Sequence, residues 1–283
     1  MQEENWSYTI RSHHAFSFRS LKEVWQYRDL LFKFVKRDIV TNYKQTILGP
    51  LWFFIQPILT TLMFMIVFNR VAKLSTDEIP PVLFYLSGVT AWNYFSECLT
   101  KTSTTFKDNA YIFGKVYFPR LILPLSVIVS TLLKFLIQFG LFLAILVYYI
   151  LTGSFHLTPG LPILLVPALL LMMAGIALGA GMIITSLTTK YRDLSFLIQF
   201  GVQLLMYATP VIYPLSTVIN SKYSIFILAN PMTPIIETFR VAFLGKGIFD
   251  WMHLGYSFLA MVGLLIAGFY FFSNTEKTFT DTV

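Results

Sequence analysis

Residues 135–189 read FLIQFGLFLAILVYYILTGSFHLTPGLPILLVPALLLMMAGIALGAGMIITSLTT, and none of them is Asp, Glu, Lys or Arg. A helix that crosses a bilayer needs about 20 mostly apolar residues. The stretch holds most of two such helices, parted by the breaker segment 152–160, which carries Gly153, Pro159 and Gly160. Outward from it, charge is also missing from 45–69, 79–96, 194–221 and 251–275. Only 12% of the 283 residues are charged, against roughly 25% in a typical soluble domain. The mean hydropathy is +0.67 and 56% of residues are hydrophobic. So little charge could hardly coat a water-soluble surface, whereas a lipid-facing surface has no need of it.

These observations predict an all-α integral membrane protein with six spans, near 50–71, 82–105, 122–150, 162–187, 194–213 and 253–273. Backbone groups in lipid must be satisfied internally, which favours helices. The repeated alternation of a membrane β-barrel, in segments of about ten residues, does not occur in the chain. Lysine and arginine set the expected orientation. With the N-terminus inside, the cytoplasmic segments carry fifteen of them and the external segments five, while Lys134 falls within a span. That excess places both termini in the cytoplasm. The net charge of +7 invites a nucleic-acid reading, but the basic residues are dispersed beside the spans and no recognition motif accompanies them. The first apolar run begins near residue 46 behind a charged segment and is too long for a signal-peptide core.

Catalytic candidates are absent from this reading. Cys98 is the single cysteine, and the four histidines lack metal-ligand spacing, so neither a cysteine-rich metal site nor an intrachain disulfide is expected. The P-loop pattern G-x-x-x-x-G-K-[ST] is missing, and Gly245-Lys246-Gly247 cannot cradle phosphates in its place. A membrane-embedded glycosyltransferase would need convergent acidic residues, whereas Asp77-Glu78 is a lone pair in a short loop. A channel or scaffold is the non-enzymatic alternative.

Contact sites are expected mainly outside the spans. Between Lys22 and Lys44, Val24, Tyr27, Leu31 and Phe34 recur at helical intervals, with Lys36 and Arg37 on another face. This predicts an amphipathic helix in the cytoplasmic interface, or one packed on another subunit, with Gly49-Pro50 turning the chain into the membrane. Residues 106–121 mix charge with aromatic surface, and Asp108-Asn109 suits the cap of a short helix ending near Gly114. The turn 188–193 is a second contact candidate. From Pro210 to Asp250, short apolar pieces are broken by Pro214, Pro231 and Pro234. They predict two short re-entrant external helices or, alternatively, a simple external cap. Glu97 and Lys134 are intramembrane charges that would pair or face water, although Glu97 can instead pair with Lys101 one turn away. The candidate channel and gate residues are Trp52, Trp92, Tyr94, Tyr207, Tyr213, Ile225, Ile235 and Arg240. Aromatic faces among them could carry sugars by stacking, but ordinary lipid-facing and interfacial aromatics look the same in a sequence.

Four ordered motifs carry a resemblance. They are Asn42-Tyr43-Lys44-Gln45-Thr46-Ile47-Leu48-Gly49-Pro50-Leu51-Trp52 with Gln56-Pro57, Phe113-Gly114-Lys115-Val116-Tyr117-Phe118-Pro119-Arg120, Thr189-Lys190-Tyr191-Arg192-Asp193-Leu194, and Asn230-Pro231-Met232-Thr233-Pro234 with Arg240. Over about residues 20–275 the chain resembles the O-antigen and teichoic-acid permease branch of the type-2 ABC transporters.

That resemblance implies a six-span permease of a bacterial inner membrane, paired as a homodimer and bound to two copies of a separate ATPase subunit. ATP and Mg2+ would belong to the ATPase, and this chain would have no cofactor and no catalytic residue. Its substrate would be a lipid-linked glycan or polyol phosphate, exported from the cytoplasmic leaflet. Coupling to the ATPase would fall on Asp108, Asn109, Tyr111, Ile112, Phe113, Lys115 and Arg120, with Tyr191, Arg192 and Asp193 from the second connection. The segment near residues 22–45 would flank that contact, and the short external helices within about 214–243 would act as a gate. The expected division is a cytoplasmic N-terminal region over 1–48, a transmembrane domain over 49–275 and a cytoplasmic tail over 276–283.

Overall fold

The computed structural model describes residues 23–43, 47–113, 115–116, 118–156, 160–191 and 193–279. Among these the regular elements are all helical. Arg28–Tyr43 (α1) precedes Trp52–Phe64 (α2), which starts in a 3-10 turn at Gly49–Leu51 and ends in a π-helical stretch, Met65–Val71. Pro81–Ser103 (α3) leads into two single turns, Thr105–Asp108 (α4) and Ala110–Phe113 (α5). Ile122–Leu151 (α6), Val166–Thr188 (α7) and Leu194–Tyr207 (α8) follow. Ser224–Ala229 (α9) and Met232–Leu244 (α10) precede the last helix, Trp251–Phe279 (α11).

Four helical stretches among the described residues are long and apolar enough to cross a membrane: Gly49–Val71, Ile122–Leu151, Pro162–Thr188 and Trp251–Glu276. Each overlaps a charge-free run of the sequence, and Ile122–Leu151 also encloses Lys134. The other two expected spans differ from these for separate reasons. Helix α3 has the length, at 23 residues, but it carries Ser87, Thr90, Asn93, Ser96, Glu97, Thr100 and Lys101. It packs against α2, α6, α7 and α8, and most of its residues are buried. A helix enclosed by protein can carry polar groups, provided they find partners. Ser87, Ser96, Thr100 and Ser103 bond to carbonyls one turn earlier. Helix α8 is apolar but has only 14 residues, roughly 21 Å at 1.5 Å per residue.

The closest helix crossing is made by α7 and α11. A Cβ added at Gly179 would lie 2.5 Å from the Leu264 carbonyl carbon, and one at Gly268 would lie 2.5 Å from Gly179 O. Only glycine lets the two backbones approach so far, which is how small residues drive helix packing in a bilayer. Further along α11, Phe272 stacks on Phe106 of α4 with ring centroids 4.6 Å apart. Helix α11 runs on to Phe279, so the expected tail boundary at 276 lies inside a continuous helix.

Candidate functional site

At one end of the bundle, α1 and the connection between α3 and α6 form a single unit. Phe34, Val24, Phe118, Ile122 and Leu123 are buried together, with Leu30, Leu31, Ile112 and Phe113 packed around them. Arg37 stacks over the Phe34 ring at 4.7 Å and donates from Nη1 to Asn109 Oδ1 at 3.1 Å. Asn109 in turn donates from Nδ2 to Thr105 O. Asp108 closes α4, accepting from Thr104 Oγ1 at 2.6 Å, so the Asp108-Asn109 pair sits between two turns and does not begin one longer helix. Arg120 covers the Phe113 ring at 5.1 Å and donates to Glu276 O at 2.7 Å. The second connection joins at Lys107, which donates to Ser195 Oγ at 3.4 Å.

From this end Tyr111, Lys115, Lys36 and Asp193 project outward, while Tyr191 is exposed beneath Lys190. Tyr27 is exposed rather than packed on the α1 core face. Arg192, Gly114, Tyr117 and Lys44–Thr46, all part of the sequence expectations, lie outside the described residues, as do Met1–Lys22.

On the flank of the bundle, α3 and α8 border an open groove of about 660 Å³ lined by Asn93, Ser96, Thr100, Phe196, Gln199 and Gln203 among others. Trp92 touches it as well, though it is otherwise buried. The sequence reading missed the amide and hydroxyl residues here. Their signal was the helical spacing Phe196, Gln199, Phe200, Gln203, Tyr207, which alternates rings and amides along one face of α8. Tyr207 is exposed and its carbonyl accepts from Tyr213 Oη at 3.0 Å, whereas Tyr94 is buried against Phe135. Trp52 is exposed at the start of α2.

The two charges that the sequence places inside the membrane pair with each other. Lys134 Nζ on α6 donates to Glu97 Oε2 at 2.7 Å, and Lys101 Nζ lies 2.9 Å from Glu97 Oε1. Both of the alternatives open in the sequence are realised at once, and they share one carboxylate.

The opposite end gathers the loop 72–80 and the segment 210–250. Lys73, Asp77 and Glu78 all have positive φ, a strained state for non-glycine residues that tightens this loop. Asp77 accepts from Ser216 Oγ at 2.7 Å, and Lys246 is hydrogen-bonded and ion-paired to Glu78. That contact holds the Glu78 carboxyl below its ordinary value. Two short helices do occur here. Asn230 ends α9, donating to Thr209 Oγ1 and accepting from Met232 N–H, while Thr233 Oγ1 donates to Ile227 O. Ile235 and Arg240 on α10 are fully buried. Arg240 pairs with Glu237 at 2.6 Å, donates to Pro210 O at 2.8 Å and lies 3.9 Å over the Phe84 ring. Ile225 on α9 is exposed. The expected gate residues are therefore split between a surface turn and a packed core.

The class that this architecture suits is a multi-helix membrane protein with one charged, aromatic end and a compact cap at the other. The family comparison names the class. The ABC-2 type transporter model matches residues 30–244, and the chain belongs to that family. Among its relatives is the O-antigen export system permease protein RfbA of Myxococcus xanthus, 28% identical over 266 residues, covering 94% of this chain and 99% of that one. Two proteins of that same description from Klebsiella pneumoniae are 28% and 27% identical over 253 residues, each spanning 89% of this chain and 94% of its own length.

Proposed function

We propose that this chain is the transmembrane subunit of an ATP-driven exporter that moves a lipid-linked, O-antigen-like polysaccharide from the cytoplasmic leaflet across a bacterial inner membrane. The observation that carries the reading is end-to-end similarity to export permeases of that name, from two organisms and without a long gap in coverage. In this reading α3 and α8 complete six crossings. α3 is screened by its neighbours, and α8 is lengthened by the turns that follow it. The excess of basic residues on the α1 side puts both termini in the cytoplasm.

A second copy of the chain would close the groove beside α8, whose outward face carries Phe196, Phe200 and Tyr207. Rings and uncharged amides suit a hydroxyl-rich polymer, because aromatic faces pack on apolar sugar faces and amides both donate and accept. Two ATPase subunits would dock on Tyr111, Lys115 and Tyr191. Since Asn109 and Ile112 reach α1 and the start of α6, movement of that contact would be passed to both helices. α9 and α10 would form the outer gate. The ATPase hydrolyses ATP with Mg2+, and this chain binds and moves substrate without bond chemistry.

The test is reconstitution of the chain with its ATPase in liposomes loaded with lipid-linked glycan. ATP-dependent appearance of glycan on the far leaflet, and co-purification of the ATPase, are expected. A chain that binds no ATPase and moves no polymer, whether neutral glycan or polyol phosphate, would overturn the assignment.

A further inference from the structure

The Glu97 cluster has an unbalanced charge. Two ammonium groups, Lys101 and Lys134, share one carboxylate. They line a cavity of about 120 Å³ whose remaining walls are Ile39 of α1, Phe53 of α2, and Ser130, Leu133 and Ile137 of α6. Among the described residues no other acid lines it, and Asp38, next in sequence to Ile39, is held by Arg37 at 2.8 Å. Lys134 Nζ also lies 5.5 Å from the Phe53 ring, so apart from Glu97, Lys101 and Ser130 the cavity wall is apolar. A surplus cation in such a setting is costly unless an anion or water meets it. The cavity lies where the interface helix α1 meets the bundle, at the end that carries the charged connections. If α1 lies in the membrane interface, the cavity it helps to wall is within reach of lipid headgroups.

We propose that Lys101 and Lys134 hold the phosphate of an anionic lipid in this cavity, with Ile39, Leu133 and Ile137 against its hydrocarbon. Glu97 tethers both ammonium groups so that each keeps hydrogen-bond donors free, since a lysine has three. The carboxylate also weakens the site by offering a competing partner, leaving net attraction of a single charge. Two sources share this chemistry: a membrane phospholipid, or the phosphate that joins a polyprenyl carrier to its glycan. The site does not depend on transport, and only the second source rests on the export function proposed above.

The test is native mass spectrometry of the purified complex, released from nanodiscs of zwitterionic lipid containing either phosphatidylglycerol or polyprenyl phosphate in increasing amounts. One tightly held anionic lipid per chain is expected. Lys101→Gln and Lys134→Gln should each weaken it roughly tenfold or more, the equivalent of one charge-assisted hydrogen bond, while Lys101→Arg and Lys134→Arg retain it. Glu97→Gln should bind more tightly. Because that variant frees two cations in apolar surroundings and can misfold, the lysine series carries the decision. Retention of the polyprenyl phosphate over phosphatidylglycerol identifies a substrate subsite, and equal retention identifies a structural lipid. Either result holds even where the liposome assay shows no export. The absence of a stoichiometric anion, or full binding by the glutamine variants, overturns the site.

Discussion

Replacing Arg240 by methionine tests whether the ion pair in the cap is structural. Both side chains are about 1% exposed, and the guanidinium touches Glu237, Pro210 O and the Phe84 ring. Removing one member of a buried pair costs about 3–5 kcal/mol, because the other is left charged and unpaired. The lost contact with Phe84 belongs to the same event, so the terms do not add. A loss of about 4 kcal/mol is a large part of the stability of an ordinary domain. Glu237 keeps its bond from Ile248 N–H at 3.3 Å, which moderates the cost without removing it. The double variant Arg240→Met with Glu237→Met should be less destabilised than Arg240→Met alone, since both charges leave together. The assay is a detergent unfolding titration followed by size-exclusion, run on the parent, the two singles and the double as a cycle. A single variant within about 0.5 kcal/mol of the parent, the scatter expected at neutral surface sites, refutes the reasoning. So does a double variant that costs the sum of the singles.

Gly179→Ala should drive α7 from α11, because its Cβ would meet Leu264 backbone at 2.5 Å. A loss of about 1–3 kcal/mol is expected from overpacking, read from the same titration, and Gly201→Ala, with open space at its Cβ, serves as the control. Ile112→Pro deletes the bond from Ile112 N–H to Asn109 O and should lower substrate-stimulated ATP turnover of the assembled complex while insertion is retained. Normal coupled turnover would dismiss α5 as a coupling element. Glu78 titrates below its ordinary 4.5 because Lys246 hydrogen-bonds to it and then because of that lysine's charge. A depressed carboxyl stabilises at pH above its unfolded value and loses that contribution as pH falls through the folded one. Hydrogen-exchange protection of residues 72–80, corrected for intrinsic rates, should therefore drop on acidification below about 4.5, and Glu78→Gln should flatten the profile. An unchanged acid response in that variant would discard the contact as the cause.

Runs with little or no charge located α2, α6, α7 and α11 because lipid contact imposes a one-dimensional rule that a sequence displays directly. α3 was expected over 82–105 and runs over Pro81–Ser103, although its charge-free run stops at Ser96. What the sequence did not show is that Lys134, on another helix, meets the Glu97 carboxylate. Pro231 marked the break between α9 and α10, whereas Pro234, also expected to break the chain, lies inside α10. Which face each residue presents was not legible: Trp92, Tyr94, Ile235 and Arg240 were grouped with Tyr207 and Ile225, and burial separates them. Phe34 and Arg37 do lie on one helix, as the periodicity expected, whereas the bond to Asn109 depends on a fold-back that periodicity does not encode. The Gly179–Gly268 crossing was equally hidden, since a glycine in an apolar run looks the same with or without a backbone pressed against it.

The polar character of α3 has a consequence for how the chain enters a bilayer. In the six-span arrangement proposed here, a helix with Glu97, Lys101 and a row of hydroxyls is a poor solitary passenger, because charges at membrane depth are expensive without partners. The counter-ion it takes from another helix, Lys134, is synthesised later, on α6. Insertion of α3 is then a joint event with α6: the earlier helix waits at the protein-conducting channel or the membrane surface until its partner emerges. Lys134→Leu would reach beyond the mature protein, trapping a fraction of chains half-threaded during synthesis.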